Sequence, residues 1–272
     1  MNILEKIIAR KKVEVELSKT IRSIADLENG EFFGRTTTSL ADILRNSSAP
    51  RIISEFKRKS PSKGIINGSV LPEVVTADYV SAGASALSVL TDIDFFGGSF
   101  DDFLSARKAN PQIPMLRKDF IVNEYQLFEA KSIGADLILL IAACLEPSEV
   151  KSLSKKAHDL GMEVLLEVHN SEELAQSLCD TVDIVGVNNR NLKTFETSIQ
   201  TSIELSAQIP DSFVKISESG LSDAETIFEL FAHGYKGFLI GETFMKTENP
   251  GAALTSLQNK LLQIGNSNPH VI

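Results

Sequence analysis

The chain has 272 residues, 43% of them hydrophobic, and a formal net charge of −9 at neutral pH. That length supports a large core, and the acidic balance argues against a nucleic-acid partner, which would call for a basic face. Two cysteines, Cys144 and Cys179, give no disulfide framework, and four scattered histidines give no zinc-ligand spacing, so a reducing cytoplasm and no metal site are expected.

Residues 3–17 set Ile3, Leu4, Ile7, Ile8 and Leu17 among Glu and Lys at helical spacing. This predicts an amphipathic helix packed on its own domain rather than on a membrane. The first seventeen residues carry charge throughout and show no signal-peptide core. Residues 20–50 read as irregular connection with one short helix near 40–44. Residues 1–50 are therefore expected to form an N-terminal helical extension packing on the body of the protein.

From Arg51 the chain alternates. Strand-like apolar runs fall at 51–56, 86–91, 114–118, 136–141, 163–168, 183–188, 213–218 and 237–241, with helical periodicity between them, as at 124–133, 149–160, 172–179 and 224–232. Pro147-Ser148-Glu149 and Ser171-Glu172-Glu173 read as helix starts, and Gly134, Gly161 and Gly234 as stops. Near-continuous apolar strands suit a parallel sheet covered on both faces. Eight units at this spacing predict an α/β fold, a (β/α)8 TIM barrel over residues 51–265, with a frayed tail at 266–272. An open doubly wound sheet is the alternative, but no Gly-rich fingerprint follows the first strand. The longest apolar run, 137–145, is too short to span a bilayer.

A barrel of this kind gathers its active site at the C-terminal strand ends. Glu55 and Lys57 end the first strand, and Arg117-Lys118-Asp119-Phe120 the third. Glu167 ends the fifth, Asn188-Asn189-Arg190 the sixth, Glu218-Ser219-Gly220 the seventh and Gly241-Glu242 the eighth. Lys57, Arg58, Lys59 and Lys63 crowd one loop of an acidic protein, which suits an anionic ligand. Ser219-Gly220 and Gly241 supply small residues where backbone N–H groups can approach a phosphate.

SEFKRKSPSKG, LTDIDFFGGS, LRKDFIV, LLEVHN, VGVNNRNL, ISESGLS and LIGETFM, in this order, closely resemble the indole-3-glycerol phosphate synthase family of tryptophan biosynthesis. The resemblance implies ring closure of 1-(2-carboxyphenylamino)-1-deoxyribulose 5-phosphate with loss of carbon dioxide and water, using no metal or organic cofactor. It implies Lys118 as general acid for ring closure, and Lys57 with Glu55 as acid and base of dehydration. Glu167 is a further catalytic carboxylate whose role stays open between base and electrostatic positioner. Ser60, Asn188 and Arg190 would hold the anthranilate part, Phe96 and Phe120 would clamp its ring, and Glu218 would contact substrate. Ser219, Gly220, Gly241 and Glu242 would form the phosphate loops. Where a small hydroxyl residue can follow the last strand's glycine, this chain has Glu242, whose side chain is expected to turn away. Phosphoribosylanthranilate isomerase and a silent sugar-phosphate-binding barrel are the rival readings; the presence of Glu55, Lys57, Lys118 and Glu167 together favours the synthase. The partner expected is a small phosphorylated substrate; oligomeric state is left open, a monomer included.

Overall fold

The eight apolar runs pair as parallel strands in a closed ring. They are β1 Arg51–Phe56, β2 Ala86–Leu90, β3 Met115–Lys118, β4 Leu137–Ile141, β5 Glu163–Val168, β6 Ile184–Asn188, β7 Val214–Glu218 and β8 Gly237–Ile240. The computed structural model describes residues 2–191 and 194–267. β1 closes the ring between β8 and β2, with Arg51 opposite Gly237 and Ile53 opposite Ala86. This is the expected TIM barrel, with strand ends within a residue or two of those read from the sequence.

Alternation along each strand sorts the core into two shells. Ile53, Leu116, Leu139, Leu165, Ile216 and Leu239 fill the inside of the ring. Ile52, Val89, Ile138, Val164, Val185 and Phe238 face outward, toward the helices. Those helices are α4 Pro72–Ser81, α5 Phe100–Ala109, α6 Tyr125–Ser132, α7 Pro147–Asp159, α8 Ser171–Ser177, α9 Gln200–Ser206, α10 Ala224–Ala232, a short α11 Glu242–Met245 and α12 Pro250–Ser267. Residues 266 and 267 of the expected frayed tail end α12; residues 268–272 lie outside the described residues. No described helix is long and apolar enough to cross a membrane.

Three helices precede the barrel: α1 Ile3–Ile21, α2 Ile24–Glu28 and α3 Leu40–Arg45. The irregular reading of 20–50 is thus corrected at two points. α1 runs on to Ile21, because its last turn is helical without burying an apolar residue: Leu17 is exposed, as is Ile21. α2 is started by a capping box, Ser23 with Asp26, too short to leave a periodicity. The buried stripe of α1 is Ile7, Lys11 and Val15.

The extension reaches both ends of the ring. Leu40, Ala41 and Leu44 of α3 join the interior cluster. Glu163, at the start of β5, accepts hydrogen bonds from the N–H groups of Leu40 (2.9 Å) and Ala41 (3.1 Å) and from Ser39 Oγ. Asp136 accepts from the N–H of Thr38 and pairs with Arg35, both at 2.7 Å. At the opposite rim, Ile3, Leu4 and Ile7 of α1 line a cavity in the mouth of the ring.

Candidate active site

This cavity, of about 340 Å³, opens at the C-terminal strand ends, and every site residue expected from the sequence lines it. Its centre is Lys118, the last residue of β3. Alternation sends Lys118 inward, whereas Arg117 turns outward to pair with Asp119 and Glu129. Lys118 Nζ lies 2.7 Å from Glu218 Oε2 and 2.9 Å from Glu167 Oε2, and all three side chains are largely buried. Burial by itself would lower the Lys118 pKa. Glu167, Glu218 and Glu55 outweigh it and hold the ammonium protonated.

The two carboxylates sharing that ammonium part company. Burial raises the pKa of both, but Lys118 and His169 together hold Glu167 ionised, well below the usual carboxylate range. His169 Nε2 lies 3.4 Å from Glu167 Oε1 and its Nδ1 lies 3.0 Å from Glu173 Oε2. Burial would lower the imidazole pKa; the flanking carboxylates instead push it up to about 10. Glu218 goes the other way, to about 7, because burial and repulsion from Glu167 and Glu55 outweigh the attraction of Lys118.

Lys57 lies just past β1 and its Nζ is 2.6 Å from Glu55 Oε1; Ser88 Oγ is 3.4 Å from the other Glu55 oxygen. The remaining cations of this loop disperse, which narrows the expectation of one four-cation anion site. Arg58 pairs with Asp102, and Lys59 donates to the Asp94 carbonyl at 2.9 Å, because a short hairpin, Lys59–Ser60 with Gly64–Ile65, alternates their directions. Lys63 stays near the mouth, 3.7 Å from Glu242. Ser60 of the hairpin is buried against the cavity.

Phe96 and Phe120, from the loops after β2 and β3, face each other with ring centroids 5.9 Å apart. Asn188, which ends β6, accepts the N–H of Arg190 at 3.0 Å, and the guanidinium stands at the rim. On the β7 side, Ser219 (φ 68°) and Gly220 (φ 73°) are consecutive left-handed residues, a conformation that suits Gly and strains Ser. Asn189 fixes this turn, donating to Ser217 Oγ (2.9 Å) and to the Ser219 carbonyl (3.0 Å). Thr243 Oγ1 donates to the Leu221 carbonyl at 2.9 Å, tying the β8 loop to the β7 loop. Gly241 is needed for close approach, since a Cβ there would sit 2.5 Å from Glu55 Oε1.

The expectation that the Glu242 side chain turns away from this end is not met. It lies at the cavity, 3.6 Å from Arg190 and 3.7 Å from Lys63, because two cations left at the rim attract it. Other lining residues carry no assigned role in the sequence reading. Phe195 lies in a loop with no motif character of its own, Thr243 falls inside LIGETFM on α11 without a role read for it there, and Ile7 is legible only as part of an apolar stripe. His169 was equally missed as a partner of Glu167, although it stands two residues away in LLEVHN, on the same side of an extended chain.

Fold and cavity together define a (β/α)8-barrel enzyme with its ionisable groups gathered at the C-terminal mouth. The family model described as indole-3-glycerol phosphate synthase matches residues 4–257. A protein of that name from Bacteroides thetaiotaomicron is 49% identical over 93% of this chain and 96% of its own length, and one from Polynucleobacter asymbioticus is 40% identical over 94% and 98%. The chain belongs to the indole-3-glycerol phosphate synthase family. Solved structures share the fold alone. These include 3-hexulose-6-phosphate synthase from Salmonella typhimurium (TM-score 0.62, 12% identity, 78% of this chain and 99% of that one). Tryptophan synthase subunit alpha from Legionella pneumophila is another (TM-score 0.58, 14% identity, 84% and 97%).

Proposed function

We propose that this chain is a carbon–carbon lyase of tryptophan biosynthesis that converts 1-(2-carboxyphenylamino)-1-deoxyribulose 5-phosphate to indole-3-glycerol phosphate in the cytoplasm. The observation that carries the reading is Lys118 between Glu167 and Glu218 at the centre of the cavity. A ring carbon of the anthranilate part attacks the ribulose ketone, and the carbonyl oxygen gains charge. The protonated Lys118 stabilises that oxygen and gives it a proton; the new alkoxide is basic enough to take one even from a lysine of raised pKa. Carbon dioxide then leaves, and the electron pair of the broken bond restores the ring.

Dehydration needs an acid for the departing hydroxyl and a base for the proton on the other side. Lys57 and Glu55, paired at 2.6 Å, fill those roles. Glu218, pushed up to about 7, can take or give a proton at neutral pH, so it joins the proton-transfer group rather than serving binding alone. Glu167, held ionised, fits an electrostatic partner that keeps Lys118 charged. Ser60, Asn188 and Arg190 hold the anthranilate carboxylate, where a planar guanidinium suits a planar anion. Phe96 and Phe120 clamp the ring. The Ser219-Gly220 turn and the Gly241-Glu242 loop hold the phosphate through backbone N–H groups. Residues 51–265 act as the catalytic barrel and 1–50 as its extension.

The test is incubation of the purified chain with the carboxyphenylamino ribulose phosphate while indole fluorescence is followed. Rising fluorescence with equimolar carbon dioxide is expected; unchanged substrate would sink the reading, and isomerised sugar without carbon dioxide would favour an isomerase.

A further inference from the structure

Lys11 is the polar member of the buried stripe on α1, between Ile7 and Val15, and is 1% exposed. A buried ammonium is costly unless fully paired, and an apolar residue would serve a packing stripe better. Its partners come from two barrel loops and from its own helix: Asp119 Oδ1 at 2.9 Å, Asp92 Oδ2 at 3.1 Å and Glu14 at 3.0 Å. Burial would lower its pKa, but these three carboxylates outweigh it and keep the group charged.

Each aspartate in turn holds one of the facing phenylalanines by its backbone. Asp92 Oδ1 accepts the N–H groups of Phe95 (2.8 Å) and Phe96 (3.2 Å), and Asp119 Oδ1 accepts that of Phe120 (2.8 Å). Asp119 has a second cation in Arg117, at 3.0 Å; among the described residues Asp92 pairs with Lys11 alone. We propose that Lys11, although it lies on the N-terminal helix and touches no substrate, is a positioning residue for the aryl end of the site. Its ammonium joins the two aspartates that set where Phe96 and Phe120 stand. The assignment rests on the proposed synthase function, and it makes the extension part of the specificity of the barrel.

Lys11→Met should raise KM about tenfold and leave kcat within about twofold, the split expected when ring binding shared by ground and transition states is lost. Binding of two probes separates positioning from general loosening. Affinity for anthranilate should fall by a similar factor, whereas competitive inhibition by inorganic phosphate should not change. Lys11→Arg, which restores a buried cation, should recover most of the anthranilate affinity. Should Lys11→Met not fold, Asp92→Asn carries the test: Lys11 keeps Asp119 and Glu14, and the same selective loss is expected at about threefold. Wild-type anthranilate affinity in Lys11→Met, or in Asp92→Asn where that variant carries the test, overturns the proposal. So does an equal loss of phosphate inhibition. A wild-type chain that neither binds the probes nor turns over substrate overturns the functional reading, and the Lys11 proposal with it.

Discussion

Lys118 and Glu218 start from strands on opposite sides of the ring, β3 and β7, and meet across its mouth at 2.7 Å. The other oxygen of the same carboxylate, Glu218 Oε1, is buried and has no hydrogen-bond partner among the described residues. A buried acceptor left unpaired in a protein of this packing marks a place where a donor is wanted. Oε1 faces the apolar ring interior, where a Cβ on Gly186 would come within 2.6 Å of it, and this burial is the first cause of the raised Glu218 carboxyl.

The two lysines should separate by step. Lys118→Met is expected to abolish carbon dioxide release and indole formation together, by about 10²- to 10⁴-fold, the usual cost of a positioned acid. Lys57→Met should slow indole formation while carbon dioxide is still released in a single turnover at saturating substrate. Equal loss of carbon dioxide in both variants would defeat the division of labour, and near-normal turnover in Lys118→Met would remove Lys118 from the chemistry.

Stability should report the raised Glu218. Its carboxyl titrates near 7 when folded against an ordinary 4.5, so between those values the native state binds the extra proton. Its contribution is fully present below about 4.5 and is lost as pH rises through about 7. Glu218→Gln does not titrate, so relative to wild type it should gain about 1–3 kcal/mol between pH 4.5 and 8. Urea unfolding of both proteins across that range is the check; parallel curves would mean that Glu218 is not raised.

Gly220→Val forces a branched side chain onto a residue at φ 73° and aims its Cβ to within 2.5 Å of Thr197 Cγ2. The turn should shift, with KM rising at least about tenfold and more than kcat falls. Melting is read alongside, since strain of this kind costs about 1–3 kcal/mol. An unchanged KM in folded Gly220→Val would take the phosphate away from this turn.

Deleting residues 1–40 removes α1 and α2 and uncovers Tyr125 and Phe128, which pack with Val15 and Leu27. It also leaves Asp92 and Asp119 without Lys11. A lower melting temperature and impaired turnover are expected, measured by calorimetry and the indole assay. Full activity at an unchanged melting temperature would show the extension to be dispensable.

How far the sequence reaches depends on whether a residue's partner is local. The strands were legible because both their faces are apolar, and the site was legible because Glu55, Lys118, Glu167, Asn188 and Glu218 each fall at or next to a strand's end. Alternation even separates inward Lys118 from outward Arg117. The directions of Arg58 and Lys59 depended on a two-residue hairpin that leaves no period, and the seat of Glu242 on which rim cations remained unpaired. Lys11 is not singled out by the sequence, since Asp92 and Asp119 reach it only through the closed ring.

The contacts of Glu163 with Ser39 and of Asp136 with Thr38 span 124 and 98 residues of chain. A ribosome therefore releases the plug helix α3 long before the strands that receive it exist. Until β5 has emerged, Leu40, Ala41 and Leu44 have no ring interior to enter, and the first-made segment must wait for later ones. A chain stalled before residue 163 would present that apolar face to chaperones and proteases, so the plug marks, for the cell, whether the barrel has been completed.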